Sequence, residues 1–247
     1  MLKIVLCIAA ITLASAELAF AQKETEVREQ TWLGYFNQTR FTKRSGLWVD
    51  LHYRLTGNFT DERSVNIARV AYIYYISDQV RLMGGYAYAK HFSHGTATPD
   101  VPEHRPWQQI QWFDKKNGFN LMQWFRVEQR YRRTVAAGEL TDDYNFNWRL
   151  RYNFALTLPL KGKQVVAKTP FLFFNDEIHI NAGKEIVNNY FDQNRAFLGL
   201  GYQFTSHLNA HLGYMNVFQQ LPAGNRYVNI NAIRLFVFHN IDLRKGD

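Results

Sequence analysis

The chain has 247 residues, a single cysteine, and 29 lysines and arginines against 21 aspartates and glutamates, for a formal net charge of +8. The lone cysteine, Cys7, sits in an N-terminal apolar run, so disulfides, thiol catalysis and cysteine-ligated zinc are excluded from the rest of the chain. Aromatic residues make up 16% of the sequence (19 Phe, 14 Tyr, 6 Trp), which is rich for a soluble domain and in keeping with barrels that carry aromatic girdles at both membrane interfaces.

Lys3, the apolar run Ile4 to Leu13 and the small-x-small triplet Ala19-Phe20-Ala21 have the layout of a cleaved secretory signal peptide. The run is shorter than the roughly 20 residues of a spanning helix, so residues 1–21 are assigned to the signal and 22–247 to one domain. Export removes nucleic acid as the partner that a net charge of +8 would otherwise suggest. Outer-membrane lipids, lipopolysaccharide and small anionic solutes take its place. No stretch after Gln22 is apolar for a helical span, so any membrane crossing must be made by strands.

In chain order, alternation of apolar and polar residues predicts strands at Trp32 to Thr39, Leu47 to Thr56, Ile67 to Ile76, Val80 to Tyr88, Trp107 to Phe113 and Phe119 to Arg132. Further strands follow at Asn145 to Leu158, Thr169 to Asn175, Ala196 to Phe204, Leu208 to Tyr214 and Tyr227 to Phe238. Asn145 to Leu158 is the cleanest: Phe146, Trp148, Leu150, Tyr152, Phe154, Leu156 and Leu158 oppose a polar face that carries Arg149 and Arg151. Bacterial single-chain barrels almost always have an even strand number, so the expectation is 12 strands, with Lys23 to Gln30 as a short extra one, and 10 as the alternative. Ser77-Asp78, Asp114 to Gly118, Pro159 to Lys163 and Thr205-Ser206 read as short periplasmic turns. His91 to Arg105, Arg133 to Asp142, Asp176 to Asn189 and Gln220 to Asn225 read as longer extracellular loops.

The fold class expected is therefore all-β, a single closed antiparallel transmembrane barrel of a Gram-negative outer membrane. Alternation does not say which face points outward, and a soluble periplasmic lipocalin-like barrel would put the apolar face inside. The length of the apolar faces, the arginine-rich polar faces and the recurrence of Tyr and Trp near strand ends favour the membrane form.

The runs Arg126-Val127-Glu128-Gln129-Arg130 and Arg149-Leu150-Arg151-Tyr152, with the early Trp32, the strand start Gly46-Leu47-Trp48 and the pair Glu62-Arg63, resemble the family known as domain of unknown function 2490. The resemblance implies a bacterial outer-membrane barrel of undefined activity. The chain departs from a common barrel ending, since it runs on through Asn240 to Asp247 instead of stopping on an aromatic residue.

Arg126, Glu128, Arg130, Arg149 and Arg151, with Asp50 and Arg54 on the polar face of an earlier strand, must point into the lumen, because an arginine facing lipid at the midplane costs roughly 2 to 4 kcal/mol. They read either as an anion-attracting constriction or as an interior network in which Glu128 and Asp50 bridge guanidinium groups. Trp48, Trp124 and Phe197 are expected to fill much of the interior, giving a plugged structural barrel in the second case. An outer-membrane lipid hydrolase is the alternative in another class. His52, His207 and His211 could serve as bases, but Ser45, Ser64, Ser77, Ser93 and Ser206 fall in or beside turns with no nucleophile motif, so no enzyme is expected. No metal or cofactor is expected either. His207 and His211 lie about 13 Å apart on a strand, and the cluster His91, His94, Asp100, Glu103 and His104 reads as solvated loop polarity, capped by Pro99, Pro102 and Pro106.

Overall fold

A computed structural model describes residues 23–93 and 98–244; the expected signal peptide with Ala19 and Ala21, and His94, lie outside them. Strands β1 (Glu24–Arg40), β2 (Ser45–Thr56), β3 (Glu62–Tyr75), β4 (Val80–His91), β5 (Val101–Lys116) and β6 (Phe119–Ala136) are followed by β7 (Glu139–Pro159), β8 (Thr169–Ala182), β9 (Phe191–Gln203), β10 (Leu208–Gln220) and β11 (Arg226–Asp242). Each pairs antiparallel with its sequence neighbour, and β1 closes the barrel by pairing parallel with β11, in a register that sets Trp32 against Arg234. Closure removes every unpaired sheet edge.

Eleven strands among the described residues correct the expectation of twelve. Lys23 to Gln30 is no separate strand: from Glu24 it is the first half of β1, continuous with the segment expected at Trp32. An odd count in a chain that reverses at every turn leaves the first and last strands running the same way, hence the one parallel seam. We call the end where β1 begins the N mouth, and the end where β11 finishes the C mouth.

The expected division into short turns and long loops holds only in part. Arg133 to Asp142 is not a loop, because β6 and β7 run to a two-residue turn at Ala137-Gly138 whose φ angles are 51° and 82°. Positive φ at both central residues matches the right-handed twist of the flanking strands. Asp176 to Ala182 belongs to β8, while residues 160–168 make a long connection where a short turn was expected. Pro102 and Pro106 lie inside β5 instead of capping a loop. The β5–β4 ladder runs unbroken through Tyr86↔Pro106, and it is the β5–β6 pairing that lapses, between His104↔Tyr131 and Trp107↔Glu128, where the missing N–H matters least.

The apolar faces point outward all round the barrel: Leu200 is 62% exposed, Leu212 55% and Tyr72 55%. Inside, Ile67, Ala71, Ile73, Met83 and Trp107 pack on the β3–β5 side. Phe171, Phe197, Met215, Val217, Ile230 and Phe236 pack on the other. Glycine makes room for these rings: a Cβ on Gly201 would come within 2.1 Å of Phe171. The wall thus turns its charges inward and an apolar face outward.

Candidate functional site

The β6–β7 register sets Arg126 opposite Arg151 and Glu128 opposite Arg149, and alternation turns all four into the lumen. Glu128, 1% exposed, accepts from Arg149 Nη2 at 2.6 Å and from Arg151 Nη1 at 2.5 Å, with Arg126 Nη1 at 3.5 Å. Arg151 Nε also donates to Glu177 at 2.6 Å, and Arg149 Nη1 donates to Asp192 at 3.2 Å. One chain of charge-assisted bonds thus crosses β6, β7, β8 and β9.

Two other carboxylates organise their own cations. Arg130, expected beside Glu128, instead donates to the buried Glu103 at 2.6 Å, together with Arg105 at 2.5 Å and next to His91 at 2.9 Å. Asp50 accepts from Arg69 at 2.7 Å and from Trp48 at 2.6 Å, and lies 3.0 Å from His52. Arg54 has no carboxylate partner among the described residues: its guanidinium rests 3.4 Å over the Trp32 ring.

The lumen opens at each mouth into a separate vestibule. The one at the N mouth, about 220 Å³, is lined among the described residues by nine arginines and a single carboxylate, Asp192. The one at the C mouth, about 610 Å³, carries Arg40, Arg81 and Lys115 against Asp78 and Asp242. None of the described residues lines both. On the strands between them stand Trp107, Trp124, Phe197 and Phe236, all buried, interleaved with arginines. Arg126 lies 4.1 Å over Trp107, and Arg234 lies 3.4 Å over Phe197. Guanidinium groups on ring faces gain from the ring quadrupole while filling space.

Residues 29–228 match the model of the family described as protein of unknown function, DUF2490. The chain belongs to this family. It is similar to an uncharacterized protein of Methylorubrum extorquens, 30% identical over 187 residues that cover 73% of this chain and 75% of the relative. Among solved structures it is similar to a NanC porin in a rhombohedral crystal form, at 14% identity and a TM-score of 0.48 over 85% of this chain and 98% of that one.

In this family member the other candidates do not assemble. His91 and Glu103 turn inward, whereas His104 faces outward among Tyr86, Tyr88 and Tyr144, and Asp100 pairs with Lys90 at 2.9 Å. Opposite faces of one wall cannot share an ion. His207 lies in a turn, its Nδ1 3.0 Å from the carbonyl of Asn240, while His211 stacks on Phe238 inside the lumen. None of Ser45, Ser64, Ser77, Ser93 and Ser206 is hydrogen-bonded through its side chain to a histidine among the described residues.

Sequence reading put Glu103 in a solvated loop cluster and missed Arg105, Glu177, His179 and Asp192. For Glu177 and His179 the signal was present, since Phe171, Phe173, Asn175, Glu177 and His179 form one unbroken inward row in β8; outward Asp176 interrupts the apolar side and reads as a loop start. Asp192 had no such signal. It is the extra residue of a β-bulge between His179↔Gln193 and Ile180↔Phe191, and the bulge turns it inward beside its neighbour Gln193.

Proposed function

We propose that this chain is an outer-membrane β-barrel with a filled waist, which presents a blind cationic vestibule at its N mouth. The membrane placement is supported by the outward apolar faces of the strands and by the inward burial of charge, since lipid can solvate neither backbone edges nor arginines. The observation that carries the blind vestibule is that these two cavities share no lining residue among the described residues, and that buried rings and guanidinium groups stand on the strands between them. Anions are the solutes such a vestibule admits, because a low-dielectric wall focuses the field of its arginines.

The deciding experiment is a planar bilayer recording on the purified barrel. The filled waist leads to no steady conductance above the lipid baseline. A steady, anion-selective current would replace this reading with a narrow anion channel, which the arginine excess favours as the second reading. Location is checked separately: the protein is expected to fractionate with outer membranes and to migrate faster on gels when unheated. Recovery in the soluble periplasmic fraction would overturn the placement.

A further inference from the structure

The inward charges of the N-mouth half do not balance. Asp50, Glu103, Glu128, Glu177 and Asp192 are its five buried carboxylates among the described residues. Against them, among the described residues, stand seven buried arginines, at 54, 69, 105, 126, 149, 151 and 234, with Arg130, Arg132 and Arg195 beside them, so that positive charge is in excess. The excess is concentrated. Arg54, 8% exposed, makes no ion pair among the described residues, and its Nε has no hydrogen-bond partner. Arg195 lies on the same Trp32 ring at 4.9 Å, and its Nη1 is 3.8 Å from a Glu177 already held by Arg151. Arg69 binds Asp50 through Nη1 but leaves its buried Nε unpartnered. All three line the N-mouth vestibule.

Guanidinium groups gathered this closely repel one another, and donors left unmade at a buried site carry the desolvation cost of that site. An oxyanion cancels both penalties. The cavity of about 220 Å³ has the space of roughly seven waters at about 30 Å³ each, enough for a small solute. The cavity lies within the wall, lined by inward side chains. We propose that the N-mouth vestibule is a binding site for a small soluble oxyanion with two or three negative charges, of the phosphate or polycarboxylate type, held by Arg54, Arg69 and Arg195. The proposal rests on the reading of the vestibule as an anion-accepting cavity.

The test is calorimetric titration of the purified, folded barrel in detergent at constant ionic strength, with pyrophosphate and tricarballylate as probes and acetate as the singly charged control. Both probes are expected to bind at least tenfold more tightly than acetate. Arg54→Gln and Arg195→Gln are each expected to weaken them about tenfold, and Arg54→Lys, which keeps the charge but loses the planar fork, less than that. Without ligand, Arg54→Gln is expected to unfold at the same temperature as the parent or higher, because it relieves repulsion; a purely structural arginine would lower that temperature. Equal binding of all three anions, or affinities unmoved by the variants, would overturn the site. The bilayer result is independent: a steady current with tight pyrophosphate binding defeats the filled waist and keeps the site, whereas silence without binding defeats the site alone.

Discussion

Glu128 holds Arg149 and Arg151 directly, with Arg126 close by, and a glutamine in its place would hold none of them by charge. Removing one partner of a buried ionic network leaves the others uncompensated, at about 3 to 5 kcal/mol. Glu128→Gln is therefore expected to lower the unfolding free energy by that amount, read from urea titrations of the barrel in detergent, while Glu139→Gln at the exposed start of β7 changes it by less than about 0.5 kcal/mol. Equal effects would mean that the network adds nothing to stability. Much of this arrangement was legible beforehand, because strict alternation puts Arg126, Glu128, Arg149 and Arg151 on one face of neighbouring strands. The partners of Arg130 and Asp50 were not. Pairing inside a lumen depends on register across strands, and Glu103 lay in a segment that its prolines disguised as a loop.

At the scale of elements, the alternation that marked every strand also marked its lipid-type face, so Leu150 is the informative position. It faces outward between Val127 of β6 and Ile180 of β8. Leu150→Arg is expected to cost roughly 2 to 4 kcal/mol at mid-wall and to block assembly, measured as loss of the heat-modifiable band. Normal assembly of Leu150→Arg would show that the faces are assigned backwards. Turns were harder to read than strands. Ala137-Gly138 lacks the Asn-Gly or Asp-Gly signature of a tight hairpin, yet Ala137 sits at a φ of 51°, where an L-residue with a Cβ is disfavoured by about 1 to 2 kcal/mol. Ala137→Gly is accordingly expected to raise stability, by about 1 kcal/mol at most, since glycine also gains freedom in the unfolded chain. A fall would mean that this turn does not govern the β6–β7 pairing.

For the whole molecule, composition and the run of strands were enough to indicate a closed all-β wall, and counting by the even-number rule was what failed. The rule assumes an antiparallel seam, and nothing local in Glu24 to Arg40 shows that its partner runs the same way. That seam also fixes where the first strand starts and the last one finishes. β1 leaves the N mouth at Glu24 and β11 ends at the C mouth at Asp242, and a tilted strand of 17 residues spans roughly 40 Å along the axis. In a bilayer the two ends of the barrel therefore belong to different compartments. A short peptide tag placed just before Glu24 and another just after Asp242 should be reached by a membrane-impermeant label from opposite sides of sealed vesicles, never from the same one. The start of β1 and the finish of β11 are held apart as well, so no short linker could join Glu24 to Asp242 in a circularly permuted barrel that still inserts.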